Sequence, residues 1–238
     1  SPGQFLEMEA YDEYHFGRPK LDSIVMKIIE SGDATQIAMQ REEIELNMRG
    51  GLSTDAYRAF LQDPRFRVIA GESTVIRASQ INSAVEDLQD PRIRQAMVLA
   101  LDRQKLIDVF HNGLAVIHNQ PLIHGWIQKP EWKNRYPFDP DTAKSLLQAA
   151  GWDSEREIDL DVYGAQSDEV RTELAAMQQM WNDVGLKFNI VEKDVGTMLE
   201  EWDNVSYPGL QRWGWGTFSD PDGFLQAYFS SDSSNAFS

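Results

Sequence analysis

Alternation and helical spacing of apolar positions divide this chain into short strands and amphipathic helices. Gln4–Ala10 alternates loosely, as a strand does. The aromatic, charged turn Tyr11–Arg18 then leads into Leu21–Ile29, where Ile24, Val25, Met26, Ile28 and Ile29 predict a second strand. Ala34–Glu43 reads as a helix with Ile37, Ala38 and Met39 available for packing, and Glu43–Met48 as a short strand before the turn Arg49-Gly50-Gly51. Ser53 is placed to cap a helix reaching Gln62, which has to stop before Pro64. Arg67–Ala70 and Ser73–Ile81 read as further strands.

The second part opens on the clearest helical pattern. Asp90 can cap a helix, and Pro91 fits the first helical position, where a missing N–H costs nothing. Ile93, Ala96, Met97, Ala100, Leu101, Ile107 and Phe110 recur at helical spacing until Gly113, which predicts one long helix. Asp139-Pro140 repeats the opening, with Ala143, Leu146, Leu147 and Ala150 on one face before Gly151. A strand over Ile158–Tyr163, a helix over Ser167–Val184 stopped by Gly185, and a strand over Lys187–Val191 follow. Strands interspersed with helices give a mixed α/β class. The polar connection Asn82–Asp87 marks a domain boundary, separating residues 1–85 from 86–238.

Charge narrows the set of partners. The 22 lysines and arginines are outnumbered by 38 aspartates and glutamates, a net charge of -16. A field of that sign repels phosphate backbones and anionic headgroups, which argues against nucleic acid and membrane surfaces. The absence of cysteine removes thiol nucleophiles, disulfides and cysteine–zinc sites. No segment has the run of about 18 apolar residues that membrane insertion needs, and the opening Ser1-Pro2-Gly3-Gln4-Phe5 reads like the middle of a longer sequence.

Catalytic signatures do not emerge. His15, His111, His118 and His124 stand in no zinc spacing, and there is no nucleophile elbow or phosphate-binding glycine loop. Asp220 and Asp222, two apart on a proline-containing turn, suit a helix cap better than an acid–base pair. Neither enzyme chemistry nor a cofactor or metal is therefore expected. Trp126 and Trp132 could stack on a sugar ring or pack their own loop, while Met39, Met48, Met177 and Met180 read as core filler. Glu42-Glu43 with Glu45, and Glu200-Glu201 with Asp203, read as solvated faces.

The richest stretch is Arg212-Trp213-Gly214-Trp215-Gly216-Thr217-Phe218-Ser219-Asp220-Pro221-Asp222-Gly223-Phe224. Flat rings offer contact area at low entropy cost, glycine allows close backbone approach, and nearby charges can orient a polar molecule. Arg212, Trp213, Trp215, Phe218 and Asp220 are the candidate ligand-binding residues. Read alone, the run also suits a core strand that turns at Asp-Pro-Asp-Gly.

Six segments in the same order carry a family resemblance. Arg18-Pro19-Lys20-Leu21-Asp22 before an apolar strand, Asp90–Ala96 running to Leu101-Asp102-Arg103, and Gly113 with Pro121 are three of them. Asp139–Trp152, Val184-Gly185-Leu186 and Trp215–Phe224 complete the set. Together they resemble the extracytoplasmic solute-binding proteins of ABC importers, in the dipeptide- and oligopeptide-binding branch. The resemblance implies a type II periplasmic-binding-protein-like α/β fold, present in part: some of a first lobe through residue 85, then most of a second. Family members begin with segments preceding anything seen here and continue past Ser234-Asn235. It further implies a periplasmic or other extracytoplasmic location, a small polar solute caught between lobes, and ABC permease subunits as partners.

The sequence departs from the peptide-binding pattern. The resemblance implies an aspartate three residues after the cleft tryptophan, facing the ligand's amino terminus; counted from Trp215, Phe218 holds that place. The loop is a residue shorter before Asp220-Pro221, and Val195 stands where an earlier tryptophan is common. Arg212 matches an arginine that some members place near ligand carboxylates. A sugar or an opine-like conjugate then fits as well as a peptide. The other reading is an interaction or signalling domain that uses the same lobe as a docking surface.

Overall fold

The computed structural model describes residues 4–29, 31–48, 52–69, 75–120, 122, 127, 129–164, 168–216 and 220–230. The chain forms two compact units, Ser1–Ala70 and Gly71–Ser238.

In the first unit the two expected strands form as β1 (Phe5–Glu9) and β2 (Ser23–Lys27), an antiparallel ribbon with Leu6 opposite Met26 and Met8 opposite Ile24. Arg18 ties the connecting turn by bonding Asp12 at 2.7 Å and Asp22 at 2.6 Å. Ser31 caps α1 (Gly32–Gln40), and Ser53 caps α2 (Thr54–Gln62) through a 3.1 Å bond that its Oγ accepts from the Ala56 N–H. The strands expected at Glu43–Met48 and at 67–69 do not form. A strand needs a ladder partner for its backbone groups, and among the described residues neither segment joins a sheet: the ribbon is two-stranded, and Leu46 and Met48 are 70% and 74% exposed. Met48 is therefore not core filler. The turn expected at Arg49-Gly50-Gly51 lies outside the described residues.

The second unit is built on a four-stranded sheet in the order β3-β6-β4-β5, with β3 (Val75–Ile81), β4 (Glu157–Tyr163), β5 (Lys187–Lys193) and β6 (Leu210–Gly216). β4 runs parallel to β5 and β6, and β3 lies antiparallel to β6 along the edge. The helices are α3 (Pro91–Leu99), α4 (Arg103–Phe110), α5 (Pro140–Ala150), α6 (Asp168–Asn182), α7 (Val195–Asp203) and α8 (Pro221–Phe229). Apolar residues of β4 and β6 (Ile158, Leu160, Val162, Leu210) join the apolar stripes of α3, α5 and α6 in one core. Trp181 anchors it: its ring centroid lies 4.0 Å from that of Phe188, and its Nε1 donates to the Met97 carbonyl at 2.9 Å.

Asp90 and Asp139 cap α3 and α5 as expected, each followed by proline. Gly151 and Gly185 end α5 and the turn after α6 with φ of 71° and 93°, where any Cβ would be strained. One expectation fails. The long helix predicted from Asp90 to Gly113 is two helices, because the Asp102 carboxylate accepts the Lys105 N–H and opens a new helix there. Leu99 and Ala100 before the break and Leu106 and Ile107 after it are all buried. Apolar spacing continues across the break and could not reveal it.

The boundary expected at Asn82–Asp87 falls inside the second unit. Asn82 is buried, donates to the carbonyls of Tyr207 at 2.6 Å and Val205 at 3.2 Å, and accepts the Ala84 N–H. It fastens the end of β3 to the approach to β6. Gly209, on that approach, sits so close to β4 that a Cβ would stand 2.4 Å from the Asp159 carbonyl oxygen. Backbone cannot give way as a flexible side chain does. Gly209→Ala should therefore destabilise the unit by about 1–3 kcal/mol, measured as a lowered midpoint in urea unfolding.

Candidate functional site

The connections between the parallel strands fix where a site can form. β4 passes through α6 to β5, and α6 lies on the core face. β5 passes back through α7 to β6, and α7 covers the other face: Gln211 Nε2 donates to the Met198 carbonyl of α7 at 3.3 Å. The two crossovers leave the sheet on opposite sides, and in open α/β sheets of this kind ligands are met at the carboxyl ends of the strands, here those of β4 and β6. Tyr163 ends β4 there, and its ring stacks on that of Trp213 at 5.7 Å and 16°. Trp202 of α7 lies 6.5 Å from Trp213 between ring centroids.

The predicted residues are distributed over this end of the sheet unequally. Arg212 and Trp213 are neighbours in a strand and point to opposite faces. Arg212 turns to the core side, where its Nη2 bonds Glu173 of α6 at 2.9 Å and its Nη1 lies 3.2 Å from the Met177 sulfur. Trp213 turns to the α7 side and donates through Nε1 to Gln211 Oε1 at 3.0 Å. Trp215 continues β6 opposite Ile76, with its side chain outside the described residues, as is Phe218 altogether. Asp220 is the N-cap of α8, accepting the Asp222 N–H at 2.8 Å, which is the capping role its spacing suggested. Trp126, Pro121 and His124 lie outside the described residues; Trp132 sits under the cations of Lys129 and Arg135, at 5.0 and 5.5 Å.

Two buried charge networks hold β6 from its two sides. On the core side Glu173 receives Arg212 and, at 3.4 Å, His111 Nε2. Burial pushes the Glu173 carboxyl up, but the hydrogen bond from His111 and the Arg212 charge outweigh it and hold the group at about 2. On the α7 side Lys193 bridges Asp161 at 2.9 Å and Glu201 at 2.8 Å, and Glu201 also accepts from Gln211 at 3.3 Å. Asp161 is fully buried, and desolvation raises its carboxyl pKa despite Lys193. Lys193 is desolvated as well, yet bonds to two carboxylates raise its pKa. Hydrogen bonds thus run from Trp213 through Gln211 and Glu201 to Lys193 and Asp161. Glu201, read as part of a solvated face, is a structural ion-pair partner instead.

Sequence reasoning missed Tyr163, Glu173, Asp161, Lys193 and Gln211. Glu173 could have been found, since it stands in the apolar stripe of Val170, Leu174, Met177 and Trp181 and an acid there requires a cation. Asp161 alternates with apolar residues along β4 and so looks like a solvent-facing position until α7 is laid over it. Two concavities of about 330 and 280 Å³ lie away from the carboxyl ends, one against Glu157 and Lys187 at the strands' amino ends and one against Arg103 and Asn119. Among the described residues no cluster of three or more histidines and acids could hold a metal ion, and no helix is long and apolar enough to cross a membrane.

Comparison with known proteins agrees with this architecture. The family described as bacterial extracellular solute-binding proteins, family 5 middle region, matches residues 1–236. The chain belongs to this family. A Brucella ovis protein that carries an ABC transporter peptide-binding name is 31% identical over 197 residues, covering 82% of this chain and 36% of its own length. The dipeptide-binding protein of Escherichia coli is 25% identical over 232 residues, covering 94% of this chain and 42% of its own length. The chain thus spans well under half the length of these relatives. The structure of the oligopeptide-binding protein AppA of Bacillus subtilis, in complex with a nonapeptide, superposes with a TM-score of 0.75 at 21% identity, covering all of this chain and 49% of that one. That likeness establishes the type II periplasmic-binding-protein-like α/β fold.

Two outcomes test the charge networks. The Glu173 carboxyl lies at about 2 when folded, below its ordinary 4.5, so its contribution to stability is complete above pH 4.5 and is lost as pH falls toward 2. That contribution is on the order of 3 kcal/mol, and urea unfolding across this window should show Glu173→Gln lacking the corresponding part of the acid slope. Lys193→Met leaves Asp161 buried without its cation and should cost about 3–5 kcal/mol, with a smaller loss in the double variant that also carries Asp161→Leu.

Proposed function

We propose that the whole protein is the solute-capturing component of an ABC import system working outside the cytoplasm. It takes a small polar solute into a cleft between two lobes and hands it to permease subunits, without catalysing a reaction. The observation that carries this reading is the aromatic cluster at the carboxyl ends of β4 and β6, where Tyr163 stacks on Trp213 and Trp202 lies beside it. Family membership supports it, as do the peptide- and dipeptide-binding names of the relatives.

The residues divide the work. Trp213, Trp215 and Phe218, joined by Tyr163, supply flat apolar contact to the solute. The Arg212 charge is already balanced by Glu173, so this residue acts as a fixed orienting dipole more than as a free cation. Asp220 commits one carboxylate oxygen to the cap of α8 and presents its other to a polar group of the solute. With Phe218 where the resemblance implies an aspartate, nothing at that place rewards a free ammonium, since an aromatic ring cannot replace a carboxylate there. The solute class is therefore a blocked or modified peptide, a sugar or an opine-like conjugate. Closure follows because the solute binds the closed form better, and only that difference shifts the equilibrium.

Calorimetry on the full-length protein tests this with di- and tripeptides bearing free and acetylated amino termini, oligosaccharides and sugar–phosphate conjugates. Saturable binding that survives acetylation is expected, weakened by about 0.5–1.5 kcal/mol in Tyr163→Ala and in Trp213→Ala. Absence of saturable binding across the panel would overturn the capture reading. Selective binding of free-amine peptides, lost on acetylation, would overturn the assignment of Phe218.

A further inference from the structure

Six of the buried residues among those described are polar or charged, and three of them, Gln80, Gln211 and Asp161, stand in one row across β3, β6 and β4. The register sets Gln80 opposite Gln211 and Gln211 opposite Asp161, so all three side chains leave the face that α7 covers. None is more than 5% exposed. This row is a poor source of stability. Gln80 Oε1 and Asp161 Oδ1 accept no hydrogen bond from the described residues, and a partly satisfied buried polar network is less favourable than an apolar core of the same shape.

Gln211, at the centre of the row, uses both ends of its amide. Its Nε2 donates to the Met198 carbonyl and to Glu201 Oε2, each at 3.3 Å. Neither acceptor depends on it, because Glu201 is also held by Lys193 at 2.8 Å and Met198 lies inside α7. What Gln211 adds is at Trp213, whose Nε1 donates to its Oε1 at 3.0 Å. Tyr163 stacks on the indole at 5.7 Å and 16°, and the residue opposite on β3 is Ala78, which offers only a methyl. Stacking sets the plane of a ring but not which of its edges faces outward. A directional bond from Nε1 to a buried amide sets the edge as well.

Resting on the capture reading above, we infer that Gln211 is a positioning residue for the solute. It fixes which edge of the Trp213 indole the solute meets, and this position is polar for that role rather than for stability.

Gln211→Met in the full-length protein separates this role from a structural one, since methionine fills a similar volume and removes both amide contacts. Its midpoint in urea should equal or exceed that of the unmodified protein. The Trp213 indole N–H, assigned in NMR spectra by its loss in Trp213→Phe, should shift and exchange with solvent about fivefold faster. Affinity for whichever peptides, oligosaccharides or sugar–phosphate conjugates of the calorimetric panel the unmodified protein binds should fall about fivefold. Adding Gln211→Met to Trp213→Phe should cause no further fall, because that background already lacks the bond. Unchanged affinity, or an affinity loss accompanied by a lowered midpoint, would overturn the inference. Absence of binding by the unmodified protein bears on the capture reading alone. The indole signal then decides: a moved signal supports the hold of Gln211 on Trp213, and an unmoved one overturns it. Should Gln211→Met fail to fold, as judged by circular dichroism, Gln211→Leu is read in the same way.

Discussion

Because β6 is paired along both edges, its side chains have no freedom except to alternate between the two faces of the sheet, and each face is closed by a different helix. Arg212 must go to α6, and Gln211 and Trp213 must go to α7. A guanidinium driven into a core has to meet an anion, since an unpaired buried charge costs several kcal/mol. Glu173 meets it, from a helical position that would otherwise hold an apolar residue. On the other face Gln211 needs both an acceptor and a donor, and its amide serves Trp213 with one atom and Met198 and Glu201 with the other. The orientation of the Trp213 ring thus follows from strand alternation through an amide that nothing in the local sequence marks as special.

The same alternation explains why a strongly acidic chain draws the cations Lys193 and Arg212 largely out of solvent. Lys193 closes β5, and Asp161 and Glu201 converge on it from β4 and α7. Arg212 lies on the opposite face, with Glu173 as its partner and His111 beside that carboxylate. Neither arrangement is an efficient source of stability, because desolvation offsets much of the Coulomb attraction. What each provides is register. A slip of β6 by one residue would leave Arg212 beside Lys193 and Glu173 without a cation. The aromatic cluster at the carboxyl ends keeps its geometry because that slip is forbidden.

Much of this was legible in the chain as written. Ser53, Asp90 and Asp139 announce helices, Gly151 and Gly185 end them, and period-two alternation locates β4 and β5. Where reading failed, the cause was non-local. The Glu43–Met48 segment has the composition of a strand but joins no sheet among the described residues, and composition carries no information on sheet pairing. Asp102 splits a continuous apolar stripe because two helices resting on one core look alike to a periodicity argument. Arg212 and Trp213 stood out as a cluster in sequence, although adjacency in a strand means separation in space. Tyr163, which stacks on Trp213, gave no signal, because only the parallel pairing of β4 with β6 brings the two strand ends together.

Whether the aromatic run was a core strand or a ligand surface proves to be a false alternative. A strand of seven residues extends about 20 Å, enough to start in a core and finish at a rim. Leu210 is buried with Leu160 at the first ladder position, and Gly214 and Gly216 near the far end are exposed. The same strand is therefore structural at Leu210, Gln211 and Arg212 and free to face a solute only from Trp213 onward. Asp220 then stops the excursion by capping α8. On the function proposed above, a solute at this rim would meet rings whose positions are set by charges it never touches, so changes in the buried networks would alter binding by moving the aromatic platform rather than by removing a contact.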